Sequence, residues 1–169
     1  PIKSYASLQK LFTRKLKDGA RPLSDSRVVS PVDGVVSQAE LLGTSGKMIQ
    51  AKGRDYKLSA LLADSEWADK YEGGCWATIY LAPFNYHRIH TPVKGEVTRV
   101  RHIPGQMWPV NKWSVENVEE LFCVNERIIS EIKTPEGNFL MVKVAATNVG
   151  CITLDFLPSW WSANTADIT

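Results

Sequence analysis

Short apolar runs separated by turn-forming residues make up most of the chain after residue 22. Runs of strand length cover residues 76–81, 95–103, 127–133, 139–146 and 149–156. Between two of these runs, residues 134–138 contain Pro and Gly, which favour a tight turn and predict a hairpin. Strands outnumber helices and do not alternate with them. The pattern therefore predicts a β-rich α+β fold with largely antiparallel sheets and short helices.

Short helices are expected at two places within this strand-rich part. Residues 58–62 have a helical composition, and residues 114–122 form a second candidate with Ser114 as its N-cap. The loop at Asp33-Gly34 is expected to be a tight turn between extended pieces.

The first 22 residues instead show the pattern of an amphipathic helix. Ser4 or Ser7 could cap its start, and Gly19 is expected to end it. Residues 1–21 include six basic residues and one acidic residue. Such a helix could lie on an anionic membrane or pack on its own domain. We therefore divide the chain into an N-terminal basic helix, 1–22, and a β-rich catalytic domain, 23–169. The apolar positions at helical spacing are Leu8, Leu11, Phe12 and Leu16.

Length and composition exclude several classes of protein. The 169 residues suit one domain with a sizeable core. A net charge of +2 argues against a general nucleic-acid binder. No apolar run approaches the roughly 18 residues of a membrane-spanning helix. The three cysteines contain no CxxC pair, which argues against a disulfide framework or a zinc site.

The candidate chemistry is concentrated in residues 80–92, where His87 and His90 lie between two prolines. Histidine, with an ordinary pKa of about 6.5, can transfer protons in both directions near neutral pH. A catalytic pair is one interpretation, and two histidines bonded to backbone at a turn is another. A metal site is less favoured, because His102 comes twelve residues after His90 and no HExxH or Cys/His quartet is present.

Asp33, in the segment Ser30–Gly34, is the second candidate. A carboxylate can hold a histidine in one tautomer and stabilise its cation. The Asp-Gly pair is also common in tight turns, where the aspartate side chain bonds to nearby backbone. If Asp33 lies beside His90, the two would need a nucleophilic side chain as the third member of a catalytic relay. No GxSxG motif identifies one, and no GxGxxG or P-loop indicates a nucleotide site.

The candidate residues belong to a series of short motifs along the chain. These are FTRKLKDGARP (12–22), SPVDG (30–34), QAKG (50–53), YHRIHTP (86–92), PG (104–105), VN (110–111), NER (125–127) and ATNVG (146–150). Taken together, these motifs resemble those of the phosphatidylserine decarboxylases, pyruvoyl-dependent enzymes that make phosphatidylethanolamine. Their order and spacing across residues 12–152 make the resemblance specific. Ala145 stands where the family usually has Gly, and Cys151 where Ser is common.

The resemblance implies a proenzyme that cuts itself before a serine of an LGST-type motif. The products would be a β chain and an α chain whose new terminus becomes the pyruvoyl group. That group would form a Schiff base with the substrate amine and accept electrons as CO2 leaves. Asp33 and His90 would activate the cleavage-site serine, and His87 would handle protons during decarboxylation. This chain has no LGST-type motif, so we expect it to be most of a β chain that needs its α chain.

The resemblance also implies partners and a location. These are the α chain of the same proenzyme, phosphatidylserine and an anionic membrane surface, and it allows a homodimer of αβ units. We expect a peripheral enzyme on the cytoplasmic side of a bacterial inner membrane, with the mitochondrial inner membrane as the alternative. Two other functions stay open: a catalytically inactive decarboxylase-like lipid-binding module, and an unrelated metal-dependent hydrolase.

Overall fold

The computed structural model describes residues 4–51 and 53–161. Lys52 of the QAKG motif and residues 1–3 and 162–169 of the predicted domains lie outside the described residues. The chain forms two compact units. Unit 1 comprises Pro1–Glu40 and Trp76–Lys94, and unit 2 comprises Leu41–Cys75 and Gly95–Thr169. The predicted N-terminal segment 1–22 lies within unit 1.

The prediction of a β-rich α+β fold is confirmed. The β2–β3, β5–β6, β6–β7 and β8–β9 ladders are antiparallel, and β1 pairs with β4. No described helix is long and apolar enough to cross a membrane. In chain order the elements are α1 (Leu8–Phe12), β1 (Val35–Leu41), β2 (Lys47–Ala51), β3 (Arg54–Lys57), α2 (Leu58–Leu62), α3 (Ser65–Asp69), β4 (Cys75–Tyr80), β5 (Glu96–Ile103), α4 (Lys112–Asn117), α5 (Leu121–Val124), β6 (Arg127–Thr134), β7 (Gly137–Val144), β8 (Thr153–Leu154) and β9 (Leu157–Trp161).

The three-stranded sheet β5–β6–β7 is the centre of unit 2. Its middle strand, β6, holds Ile128, Ile129 and Ile132, all of which are almost fully buried. Strands β6 and β7 pair in continuous register to Thr134 opposite Gly137. This confirms the predicted hairpin, whose turn contains Pro and Gly as expected.

Two predictions within unit 2 are wrong. The helix expected at 114–122 is two helices, α4 and α5, and the N-cap of α4 is Asn111, whose side chain accepts a hydrogen bond from the Ser114 amide at 2.9 Å. The break between them includes Glu120 in the left-handed region, at φ 47°. The strand expected at 149–156 is reduced to Thr153–Leu154. Cys151 has φ 52°, which an extended strand does not allow.

In unit 1, helix α1 begins as predicted and ends early. The Ser7 side chain accepts a hydrogen bond from the Lys10 amide at 3.2 Å, which confirms it as the N-cap. The helix ends at Phe12 and not near Gly19. The carbonyl of the next residue, Thr13, accepts a hydrogen bond from Arg88 Nε at 2.8 Å.

Candidate active site

Asp33 lies in the loop before β1, where an arginine from the N-terminal segment holds it. Arg21 Nε donates to both carboxylate oxygens, at 3.0 and 2.9 Å, and Nη2 donates to Oδ2 at 2.5 Å. The Asp33 side chain is 28% exposed and that of Arg21 is 56% exposed. The hydrogen bond from Arg21 is the largest cause that lowers the pKa of Asp33. Asp33 is therefore a fixed, ionised carboxylate at neutral pH.

The turn that presents Asp33 requires glycine at the next position. A Cβ on Gly34 would lie 2.7 Å from Ile79 Cγ2 and 2.7 Å from the carbonyl oxygen of Tyr80. Both of those neighbours belong to strand β4, whose backbone has little freedom to move. Gly34 thus lets the loop approach the strand closely.

Backbone hydrogen bonds join the Asp33 loop to the histidine segment. The His90 amide donates to the Pro31 carbonyl at 2.9 Å, and the Val29 amide donates to the Pro92 carbonyl at 2.9 Å. The two segments therefore run side by side. A positive charge on His90 also contributes to the lowered pKa of Asp33, although less than Arg21 does. The structure brings the two predicted segments together, with the Asp33 carboxylate hydrogen-bonded to Arg21 and the His90 ring to Tyr86.

His90 is oriented by a tyrosine that the sequence reasoning did not single out. The hydroxyl of Tyr86 and Nε2 of His90 are 3.0 Å apart. The two rings are also stacked, with centroids 5.6 Å apart and planes at 11°. Tyr86 is only 5% exposed, so it offers His90 a rigid support. Its position, one residue before His87 in the YHRIHTP motif, was the signal that could have identified it.

His87 has a different environment from His90. Its Nδ1 donates to the carbonyl of Asn85 at 3.0 Å, and its ring lies 3.8 Å from that of Phe12, centroid to centroid. Burial is the largest cause that lowers the pKa of His87; the bond to Asn85 opposes it, and the positive charge of Arg14 adds to it. Because Nδ1 carries the hydrogen in this bond, Nε2 of the neutral ring has the lone pair. His87 is thus a neutral base at neutral pH.

Arg14 and Arg88 tie the helix α1 region to the histidine segment. Arg14 Nη2 donates to the Asn85 carbonyl at 3.5 Å, the same oxygen that His87 uses. Arg88 Nε donates to the carbonyl of Thr13. Phe12 and Arg14 belong to the FTRKLKDGARP segment, but the sequence analysis did not single them out as site residues. Their contacts to residues more than 70 positions away give them a role in shaping the site.

The third histidine, His102, is not part of this site. It lies in unit 2, is 1% exposed, and its Nε2 is 3.0 Å from Glu126 Oε1. The described residues contain no group of three or more His, Cys, Asp or Glu side chains that could hold a metal ion.

Comparisons with known proteins identify the family of this chain. The family model for phosphatidylserine decarboxylase matches residues 8–165. The phosphatidylserine decarboxylase proenzyme of Myxococcus xanthus is 49% identical over 152 residues, covering 88% of this chain and 53% of that protein. The proenzyme of Anaeromyxobacter sp. is 45% identical over 157 residues, which cover 92% of this chain and 55% of that protein. The proenzyme of Brevibacillus brevis is 47% identical over 158 residues, which cover 90% of this chain and 55% of that protein. The chain spans about half the length of these curated relatives, and it belongs to the phosphatidylserine decarboxylase family.

Proposed function

We propose that this chain is the β-chain part of a phosphatidylserine decarboxylase, which converts phosphatidylserine to phosphatidylethanolamine and CO2. The observation that carries the proposal is that one unit brings together an ionised carboxylate, Asp33, and the two histidines His87 and His90. The family match over most of the chain supports it. The relatives' names include the word proenzyme, which supports a second chain cut from the same precursor.

The pair of Asp33 and His90 has the chemistry needed to activate a serine for self-cleavage. The imidazole of His90 takes the proton of the serine hydroxyl as that oxygen attacks the preceding carbonyl carbon. Asp33 stabilises the imidazolium that results, as a carboxylate does in hydrolase triads. The proton then passes from His90 to the serine's own nitrogen, which leaves the two parts of the chain joined through an ester. That ester breaks when the serine loses its α proton and the β-chain carboxylate leaves, and hydrolysis of the dehydroalanine that remains releases ammonia and gives the pyruvoyl carbonyl. This sequence contains no LGST-type motif, so the proposal assigns the serine to another part of the precursor.

His87 has the properties needed for the decarboxylation step. A pyruvoyl group at the start of the α chain supplies an electron sink for the carbanion that is left when CO2 departs. The neutral Nε2 of His87 fits such a site, because it can accept a proton from the substrate ammonium group and return it to the α carbon. A ring that was charged at rest could not begin this cycle. Burial keeps it neutral by lowering its pKa.

A lipid substrate fits the charge of the N-terminal segment. Each basic residue near an anionic bilayer contributes on the order of 1 kcal/mol to binding. The described part of this segment also exposes Leu8, at 79%, and Leu23, the residue directly after the segment, is 84% exposed. We therefore place the enzyme on a membrane surface, and the proposed location is the cytoplasmic side of a bacterial inner membrane. An α chain and a pairing of two αβ units complete the proposed assembly.

Mass spectrometry of the purified full-length precursor tests the proposal. We expect two chains, the shorter of which carries a blocked, carbonyl-bearing first residue that reacts with a hydrazide label. Asp33→Asn and His90→Ala should leave the precursor uncut. Asp55→Asn is the matched control, because Asp55 also pairs with a cation, Lys47, at 2.8 Å, but lies in unit 2.

The role of His87 is tested separately from cleavage. His87→Ala should be cut as the wild type is, and should lose most release of CO2 from phosphatidylserine vesicles. Full turnover in this variant would reject the role of His87. A wild-type precursor that stays uncut, carries no carbonyl and still binds these vesicles would reject the enzyme and favour a lipid-binding module.

A further inference from the structure

Asn85 closes the turn that precedes the histidine segment. The Asn85 amide donates to the Ala82 carbonyl at 2.9 Å, and the Ala82 amide donates to Asn85 Oδ1 at 2.7 Å. Pro83 occupies the second position of this turn, where proline favours the required φ. The Asn85 side chain thus bonds to the backbone three residues before it and fixes the orientation of its own peptide group.

The carbonyl of Asn85 is the group that this turn presents to the site. It accepts hydrogen bonds from His87 Nδ1 at 3.0 Å and from Arg14 Nη2 at 3.5 Å. A carbonyl oxygen has two lone pairs and can only accept, so the nitrogen of His87 that faces it has to carry a hydrogen. The ring of Phe12 lies 3.8 Å from that of His87, centroid to centroid, so the histidine ring cannot turn over without displacing Phe12.

The tautomer of His87 decides which of its nitrogens can act as a base. In a neutral imidazole one nitrogen carries a hydrogen and the other a lone pair, and the hydrogen bond that one of them makes sets which is which. With the Asn85 carbonyl in place, the lone pair is on Nε2. If this carbonyl turned away, both tautomers would be populated, and a ring with its hydrogen on Nε2 could not accept a proton there.

We propose that Asn85 is a positioning residue for His87: its side chain holds the turn so that its own carbonyl keeps the hydrogen of the neutral ring on Nδ1 and the lone pair on Nε2. The inference deepens the proposed function, because it rests on the proposed role of His87 in decarboxylation. It also assigns a role to the residue directly before the YHRIHTP motif, which the sequence analysis did not single out.

Heteronuclear NMR of the full-length protein, labelled at the histidine ring nitrogens, tests this role. The spectrum of His87→Ala identifies the signals of His87, and all samples are kept at alkaline pH, where the ring is neutral. The wild type should show the hydrogen on Nδ1 alone. In Asn85→Ala, which removes the acceptor for the Ala82 amide, we expect signals of both tautomers. Asn85→Asp keeps an acceptor oxygen at the same place and should restore the wild-type pattern.

Asn111→Ala is the matched control for this substitution. The Asn111 side chain also accepts a backbone amide three residues away, that of Ser114 at 2.9 Å, but it lies in unit 2. Its loss should leave the tautomer of His87 unchanged and alter the release of CO2 from phosphatidylserine vesicles by less than about twofold. Asn85→Ala should slow this release about tenfold, through kcat and not KM, because part of the general-base catalysis is lost.

The role of Asn85 is overturned if wild-type His87 has its hydrogen on Nε2, if Asn85→Ala keeps it on Nδ1 alone, or if the tautomer changes and CO2 release does not. The first of these measurements needs no variant of Asn85, so it decides the matter even if Asn85→Ala folds poorly. Failure of the proposed function is a separate result. An uncut precursor that releases no CO2 would refute that function, while the tautomer of His87 would still report on Asn85.

Discussion

The burial of Lys143 in strand β7 leads to a prediction about the pH dependence of stability. Its side chain is 8% exposed and lies opposite Ile128, and Nζ donates to Ser130 Oγ at 2.8 Å. Burial lowers the pKa of Lys143 from 10.5 to about 8. At about 1.4 kcal/mol per pKa unit, this difference means that the buried charge costs the fold about 3 kcal/mol.

The sign of the pH dependence follows from the two pKa values. Below pH 8 the amine is charged in the folded and the unfolded chain, and the full cost is present. Between pH 8 and 10.5 the unfolded chain binds a proton that the folded chain does not, so stability rises with pH. Above 10.5 both states are neutral and the cost is gone.

Lys143→Met should therefore stabilise the protein at neutral pH. The substitution removes the buried charge but leaves the Ser130 hydroxyl without its donor, a loss of about 1 kcal/mol. The net gain is about 2 kcal/mol, which corresponds to several degrees in melting temperature for a chain of this size. The gain should shrink as the pH rises above 8, because the wild type recovers its stability there.

Scanning calorimetry of the full-length protein over a series of pH values measures this effect. Lys133→Met is the matched control: it changes an exposed lysine of strand β6 and should move the melting temperature little at any pH. The reasoning is refuted if Lys143→Met is no more stable than the wild type at neutral pH, or if its advantage is the same at every pH.

Further predictions concern the site and the membrane. Gly34→Ala should cut self-cleavage by up to about a hundredfold, because the new Cβ would lie 2.7 Å from the Tyr80 carbonyl and displace the adjacent aspartate. Gly43→Ala, which meets nothing within 4 Å, should cleave normally. Tyr86→Phe keeps the ring stack but loses the bond to His90, so cleavage should slow about fivefold, and equal rates would contradict the orienting role. Binding to phosphatidylserine vesicles should weaken as salt is added, and salt-independent binding would argue against the basic segment. Chelators should leave CO2 release unchanged, and a loss restored by added metal would instead favour a metalloenzyme.

The elements that could be predicted from sequence are those whose causes lie within a few residues. The β6–β7 hairpin was predictable because Pro and Gly in its turn restrict local dihedral angles. Strand β4 was recognisable as an apolar run ended by Pro83. Asp33, His87 and His90 were found as candidates because side chains that transfer protons are few and were clustered in short motifs.

The elements that could not be predicted depend on contacts between distant residues. The apolar pattern of helix α1 continues beyond Phe12, but the helix ends there. The carbonyl of the next residue, Thr13, accepts a hydrogen bond from Arg88, which lies 75 positions away. Local pattern carries no information about so distant a partner. The N-cap of α4 is a different case, because Asn111 lies only three residues before Ser114 and is itself a favoured N-cap by type.

The sequence by itself determined the residue types of this site, the turns that present them and the family to which the chain belongs. Only the tertiary structure decided that the pKa of Asp33 and the pKa of His87 are both lowered, because a pKa depends on the charges and the solvent around a group. It placed Arg21 on Asp33, stacked Phe12 on His87 and set Tyr86 against His90. Two histidines three residues apart thus have different environments, which the spacing of the sequence alone does not show.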